Sequence, residues 1–523
     1  MNLDIQTNKA VLNGANILDM PSAPNNNTDE ANNNAPKECV KVAEAESHRL
    51  KREVGLVSAT ALLIGSVIGS GIFVTPSTVF RNSGSVGVDV IVWSASGIIT
   101  IIGGLCYAEL GALLPATGGD YAYLIAGGKS VGRYGDVVPL LHAWSFILVS
   151  DPMSAALQGL TFASYTLSIV YPRCGPPHEV KICVALLFIT LAMVINCISV
   201  KASARIQVVL SSIKCVVLTA IIITGVVFAF RENHLLDGPF FTNTTEPGNL
   251  VLAFYGAIYA YGGWRQMSYI AEEIKDPTRN IPWALLGGIC TVTLIYVCIN
   301  VAYMMALDAT TMATTDAIAV SFAMATWGPL AARMVPICVS VSSFGLLCAG
   351  FFSNARVVLA AARQGHLPLV FSFITVDTSV PLTSILLRGS LAIAYTLTGS
   401  LGVLIAGRVF VESLGDIFIV LSLFVLRFTM KNAQRPYRVP TVLAVLKLLV
   451  SVALVVLPFL RPVQYLQYLI ILAIFGLSGL YYLLFVRFKC VVPGGRMATD
   501  LVQKLLMVVP CVNELELMLK EKL

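Results

Sequence analysis

Apolar segments long enough to cross a bilayer recur along the chain from Leu56 to about residue 486. A helix needs ~20 apolar residues to span a hydrocarbon core ~30 Å thick. Because every unpaired backbone group in lipid is costly, such segments are predicted to be helices. The twelve predicted spans cover residues 56–80, 86–114, 137–170, 180–199, 206–230, 249–272, 283–307, 333–358, 382–398, 403–426, 440–460 and 465–486.

The regions before and after these spans lack the same pattern. Residues 1–50 are rich in Asn, Ala and charge and have no apolar period, which predicts a disordered cytoplasmic tail without a signal peptide. Residues 51–487 form the predicted twelve-helix domain. Residues 488–523 are predicted to be a second cytoplasmic tail, in which alternating apolar and charged residues favour an amphipathic helix on the lipid bilayer. The last three residues weakly resemble a C-terminal ligand of PDZ domains.

The basic residues of the connections indicate the orientation, because cytoplasmic loops carry an excess of Lys and Arg. With the N-terminus inside, eleven lie at inner connections and flanks, and seven are assigned to outer ones, among them Arg408 near the start of the tenth span. Both termini are therefore predicted to be cytoplasmic. Asn243, in the sequon Asn243-Thr244-Thr245, then falls on the outer side and is a candidate glycosylation site.

The composition narrows the class of protein. Hydrophobic residues make up 56% of the chain, charged residues only 12%, and the mean hydropathy is +0.79, whereas an average soluble chain is roughly 25% charged. A soluble enzyme is therefore excluded. The sequence has no stripe of basic residues interleaved with aromatics, which argues against a nucleic-acid-binding protein. The sequence has no Cys-x-x-Cys pair, no nucleophile–His–carboxylate set and no metal-ligand spacing, so neither catalysis nor a cofactor or metal is predicted.

Glycine-rich interruptions divide two of the predicted spans. The first span contains Gly65-Ser-Val-Ile-Gly69-Ser-Gly71, and the sixth contains Tyr259-Ala-Tyr-Gly262-Gly263-Trp264. Either site alone could serve close helix packing through small residues. Their placement, at the first position of each of two five-helix halves, is typical of a midplane substrate site in inverted-repeat transporters. Unwound backbone offers N–H groups to a carboxylate and carbonyls to an ammonium, so we predict an amino-acid site.

Several ordered motifs between about Leu50 and Arg487 resemble the L-type (glycoprotein-associated) amino acid transporters, light chains of the amino acid–polyamine–organocation superfamily. The motifs are Gly69-Ser-Gly-Ile-Phe73, Tyr107-Ala-Glu-Leu-Gly111, Pro115-x-x-Gly-Gly119-Asp-Tyr121, Tyr261-Gly-Gly-Trp264 and Arg363-Gln-Gly-His-Leu-Pro368. The resemblance implies an all-α polytopic membrane protein of twelve transmembrane helices, with a LeuT-like 5+5 inverted repeat and interrupted helices 1 and 6. It also implies sodium-independent amino acid exchange at the plasma membrane, with a single-span glycoprotein heavy chain as partner.

The resemblance assigns substrate contacts to the two interruptions. The implied substrate-binding residues are Val67, Ser70 and Gly71 in the first span and Tyr259, Ala260 and Gly262 in the sixth. Tyr259 takes the place of an aromatic gate that closes over the bound amino acid. Ordinary aromatic packing is the alternative interpretation of this residue.

Two further residues receive roles from the resemblance. Lys214 lies in the fifth span, where sodium-coupled relatives bind an ion, so its ammonium is expected to replace sodium; the alternative is that it reaches the cytoplasmic interface. Cys174 lies in an outer connection, at the position that forms a disulfide with the heavy chain in the family. The alternative for Cys174 is a free thiol.

Asp151 and Arg265 are candidates for substrate selectivity, because they depart from the family pattern and lie at membrane depth. Asp151 could face the substrate and bind a cationic side chain, or it could form an internal ion pair, for which Arg265 is the candidate partner. The break in the sixth span has Gly262 and not an acidic residue that could bind a cationic side chain. Large neutral L-amino acids are therefore the expected substrates, with cationic ones left open.

Two alternative functions remain at this stage. The first is a proton-coupled amino acid or polyamine carrier that acts alone, against which Cys174 argues. The second is a sensor that binds an amino acid without transporting it.

Overall fold

The structure, a computed structural model, describes residues 54–114, 119–132, 134–171, 176–198, 200–231, 241, 246–269, 274–375, 380–433, 435–460, 465–488 and 495–510. Four sequence predictions lie outside the described residues: the tail 1–50, Cys174, Asn243 and the C-terminal PDZ-like residues.

The described residues fold mainly into helices. Those of the first half are α1 (Leu56–Val67), α2 (Gly71–Ser83), α3 (Val86–Leu113), α4 (Gly119–Val131), α5 (Val137–Ser145), α6 (Asp151–Val170), α7 (His178–Ile198) and α8 (Val200–Arg231). The second half contributes α9 (Pro247–Ala260), α10 (Gln266–Tyr269), α11 (Pro277–Ala306), α12 (Ala309–Thr314), α13 (Ile318–Thr326), α14 (Pro329–Arg363), α15 (Leu382–Thr396), α16 (Leu401–Thr429), α17 (Thr441–Val456), α18 (Tyr465–Tyr481) and α19 (Gly495–Leu506). Phe146–Ser150 is a π-helical turn that joins α5 to α6.

The long apolar helices agree with a membrane protein. Within the described ranges, eight helical stretches are long and apolar enough to cross a bilayer, and nine if α1 and α2, bent by 53°, form one broken span. Shorter apolar helices occupy Lys214–Phe228 and Leu382–Thr396. The protein is therefore largely helical and polytopic. The count of twelve spans and the inverted repeat stay predictions.

The two predicted interruptions coincide with helix ends. In the first span, α1 ends at Val67 and α2 begins at Gly71. In the sixth span, α9 ends at Ala260, and a turn over residues 261–265 separates it from α10. The α2 helix packs along α9, and α11 lies against both α1 and α3, so the two breaks lie in the interior of the bundle.

The region after the last long helix folds back on an earlier connection. The α19 helix lies within residues 488–523, where an amphipathic helix is predicted, and it leads into β2 (Val508–Pro510). That strand pairs antiparallel with β1 (Phe373–Thr375), which follows α14. The C-terminal region is thereby joined to the connection between α14 and α15.

Candidate functional site

The backbones of the two breaks are in direct contact. A Cβ added at Gly71 would lie 2.6 Å from the Cα of Ala260, closer than real atoms approach. Gly263 has a φ of +97°, and a side chain there would meet the carbonyl of Ser66. Only glycine allows this approach and this conformation. The small residues therefore bring the two breaks together. The tight contacts lie here rather than at Gly65, where an added Cβ would meet nothing.

Tyr296 of α11 connects the two breaks. Its hydroxyl lies 3.0 Å from the Val67 carbonyl oxygen and 3.1 Å from the Ala260 carbonyl oxygen. These carbonyls end α1 and α9, while α2 begins at Gly71 with N–H groups that have no partner inside the helix. The negative ends of two helices and the positive end of a third therefore converge, which suits a zwitterion.

The six predicted substrate residues lie together around this junction. Five of them, Val67, Ser70, Gly71, Tyr259 and Ala260, are buried. Gly262 borders a cavity of about 110 Å³ beside the α9 break. The backbones of the two breaks are in contact, so they leave no space between them. The cavity lies beside them, on the side that faces α16.

Lys214 contacts the first break from α8. It is 3% exposed, and its Nζ donates a hydrogen bond of 3.0 Å to the carbonyl oxygen of Ile68. Its ammonium is thus directed to the unwound backbone between α1 and α2 and not to the membrane interface. A positive charge there satisfies a carbonyl that the helix break leaves open.

Charged side chains line the cavity. Arg265, just after the α9 break, donates to Asp416 of α16 at 2.6 Å, and Lys447 of α17 pairs with the same carboxylate at 2.7 Å. Asp120, at the start of α4, lies 3.9 Å from Arg265. One carboxylate thus holds two cations, and a second stands nearby.

A second ion pair lies beside the predicted gate. Arg408 donates to Glu412 one turn further along α16 at 2.8 Å, and to the hydroxyl of Ser154 at 2.5 Å. Its guanidinium also lies 5.3 Å from the centre of the Tyr259 ring, within cation–π range. Tyr259 therefore packs against a charged group as well as against apolar neighbours. The assignment of Arg408 to an outer flank was wrong, because this side chain lies inside α16 and borders the cavity.

Asp151 forms an internal ion pair, but not with the expected partner. Arg388 of α15 donates to it at 2.7 Å, and Asn354 of α14 donates at 2.6 Å. Both members of the pair are almost fully buried, and Asp151 is not among the residues that line the cavity. The expected Asp151–Arg265 pair was wrong, since Arg265 is engaged by Asp416.

The sequence reasoning missed several membrane-depth charges. Like Asp151 and Lys214, these residues are ionisable groups whose placement in lipid is costly. They lie in predicted spans 9, 10 and 11 and are Arg388, Glu412, Asp416 and Lys447. Their pairing across helices could not be read from one sequence. Among the described residues, no group of three or more His, Cys, Asp or Glu side chains is placed to hold a metal ion.

Comparison with known proteins identifies the family. The sequence profile described as "Amino acid permease" matches residues 54–484. The chain is 35% identical over 410 residues to the b(0,+)-type amino acid transporter 1 of Homo sapiens, covering 78% of this chain and 83% of that protein. It is 37% identical over 404 residues to the large neutral amino acids transporter small subunit 2 of Oryctolagus cuniculus, covering 76% and 74%. These relatives are transporters and not enzymes, and the chain belongs to the amino acid permease family.

Proposed function

We propose that this chain is a sodium-independent exchanger of large neutral L-amino acids, with cationic ones left open, and the light chain of a heteromeric transporter. One observation carries the proposal: the backbones of two broken helices meet, and Lys214 donates to the carbonyl of Ile68 within the first break. The names of the relatives, an amino acid transporter and a transporter small subunit, support it.

The substrate's α-groups are proposed to bind at the junction of the breaks. When the breaks part, the N–H groups at the start of α2, from Ser70 and Gly71, would hold the carboxylate. The carbonyls that end α1 and α9, at Val67 and Ala260, would accept from the ammonium. Tyr259 would close over the amino acid, and Gly262 would leave room for its side chain.

Lys214 is proposed to take the place of a sodium ion. A fixed ammonium that bridges α8 to the first break provides the positive charge that a bound cation would otherwise supply. Amino acid exchange should therefore persist when choline replaces sodium. Lys214→Met should abolish exchange, whereas Lys181→Met, which removes an ammonium that pairs with Asp316 and contacts neither break, should not. Loss of wild-type exchange in choline would overturn sodium independence.

The partner and the location complete the proposal. Cys174 would form a disulfide with a single-span glycoprotein heavy chain, both termini would face the cytoplasm, and the complex would reside in the plasma membrane. Asn243 would be accessible to glycosylation from the outer side, and the C-terminus would bind a PDZ-domain protein. A band shift that disappears under reduction and in Cys174→Ser tests the disulfide.

The decisive experiment is exchange in proteoliposomes, with and without a heavy chain. Efflux of labelled amino acid that rises when unlabelled amino acid is added outside supports an exchanger. Net uptake driven by a pH gradient without a partner would favour a proton-coupled carrier. Binding without stimulated efflux would favour a sensor.

A further inference from the structure

Two parts of the structure bound the cavity beside the α9 break. One wall is the unwound backbone at Gly262 and Gly263, and the other is the face of α16 that carries Arg408 and Glu412. Because an amino acid held at the breaks would extend its side chain past Gly262, this space is the nearest place for that side chain.

The charges around the cavity balance. Among the described residues, its lining contains three carboxylates and three cations. Most are in direct pairs: Arg408 with Glu412, and Asp416 with both Arg265 and Lys447. The lining charges are Asp120, Arg265, Arg408, Glu412, Asp416 and Lys447. The network is therefore neutral when every group is ionised, and a ligand that adds a charge would leave one uncompensated inside the membrane.

One carboxylate oxygen in this network lacks a well-placed donor. Asp120 is 5% exposed, and its Oδ1 accepts no hydrogen bond of standard geometry from the described residues, although the Tyr107 hydroxyl lies beside the carboxylate. Its other oxygen, Oδ2, is 3.9 Å from both Arg265 and His142, beyond hydrogen-bond distance. A buried acceptor without a well-placed donor is costly, so a donor from a ligand or from water is expected there.

Apolar side chains such as Phe146, Ile258 and Leu454 share the lining with the six charges, but a bulky apolar side chain in this small space would also lie against the charged groups. It would displace water from the charged groups without replacing any hydrogen bond, which carries a free-energy cost. An uncharged side chain with an N–H or O–H donor would both keep the balance and supply Asp120.

We infer that this cavity is the side-chain subsite and that it selects amino acids with uncharged polar side chains, such as amides and hydroxyls. The inference rests on the proposed function, since it assumes that the α-groups bind at the two breaks. It narrows the expected substrates from large neutral amino acids to those with uncharged polar side chains. Arg408 and Glu412 are the specificity-determining pair, because both line the cavity and Arg408 also contacts the ring of Tyr259.

Competition against labelled glutamine exchange, with the full chain and its heavy chain in proteoliposomes, tests this subsite. Glutamine, asparagine and threonine should compete at least about tenfold better than arginine, glutamate and phenylalanine. Equal competition by arginine or phenylalanine would overturn the inference while leaving the proposed exchanger in place. A failure of every amino acid to exchange would instead overturn the proposed function.

Two charge variants test the mechanism of selection. Arg408→Gln leaves an excess negative charge and should improve competition by arginine about tenfold, whereas Glu412→Gln should do the same for glutamate. The double variant restores neutrality and should again exclude both. Lys181→Gln lowers the net charge by one, as Arg408→Gln does, but lies outside the cavity, so its profile should match the wild type. Exchange-competent single variants with an unchanged profile would overturn the role of the pair. If the single variants do not fold, the wild-type profile still decides the side-chain preference.

Discussion

Asp151 and Asp416 are both buried carboxylates inside helices, but their surroundings differ. Asp151 is enclosed by Arg388 and Asn354 and does not line the cavity. Asp416 pairs with Arg265 and Lys447 and does line it. The first arrangement joins α6, α14 and α15, whereas the second lies where a ligand or water could reach it. Of these two carboxylates, only Asp416 adjoins a cavity, so it is the stronger candidate for a role in substrate selection.

The largest expected effect comes from breaking the enclosed pair. Asp151→Asn leaves the guanidinium of Arg388, 1% exposed, without its carboxylate, and should cost about 3–5 kcal/mol of stability. Loss of surface expression and a lower Tm in detergent would measure this. The double variant Asp151→Asn/Arg388→Gln should recover most of the loss.

A single variant as stable as the wild type would contradict this structural role. An altered charge preference in surviving Asp151→Asn protein would instead support the prediction that Asp151 faces the substrate.

Arg265→Asn should have a smaller effect on stability and a clear one on selectivity. Asp416 keeps Lys447, and the adjoining cavity admits water, so the expected loss is about 1–3 kcal/mol. One cation is removed from a balanced network, and arginine should therefore compete better for exchange. Tm and competition measured on the same preparation compare this variant with Asp151→Asn. A stability loss as large as that of Asp151→Asn would contradict the distinction between the two regions.

Removing the hydroxyl of Tyr296 tests the junction of the breaks. Tyr296→Phe leaves two buried carbonyls without this donor and should cost about 0.5–2 kcal/mol, together with slower exchange. Tyr303→Phe is the matched control on the same helix, because the Tyr303 hydroxyl is buried without a hydrogen-bond partner among the described residues. Equal losses in both variants would argue against a specific bridge.

The smallest effect concerns a titratable group outside the membrane spans. Burial lowers the pKa of His366, whose Nδ1 lies 2.7 Å from the Tyr121 hydroxyl. Below the ordinary pKa of about 6.5, the unfolded chain binds more protons than the folded one, so this contribution to stability is lost as the pH falls. His366→Gln should flatten the decline in Tm between about pH 7.5 and 5.5. An identical decline in both proteins would rule out this histidine as a cause.

The sequence predicted the helical membrane class and the two breaks, and it singled out Lys214, because apolar length, glycine and intramembrane charge are local signals. It also indicated that Asp151 needed a partner. The partner's identity was wrong, because Arg388 lies 237 positions away and only packing of α15 against α6 brings them together. Arg408 was misassigned for a similar reason: a basic residue near a predicted span end has the same local pattern whether it faces a loop or the interior.

The sequence by itself determined that this protein resides in lipid and that its helices break at two glycine-rich points. The periodicity and the cost of unpaired groups in hydrocarbon depend only on neighbouring residues. Only the tertiary structure decided that the breaks touch, that Tyr296 bridges them, and that six charges from α4, α16, α17 and the turn after α9 surround one cavity. The physical reason is that Coulomb and hydrogen-bond energies depend on distances in space, which the order of residues along the chain does not specify.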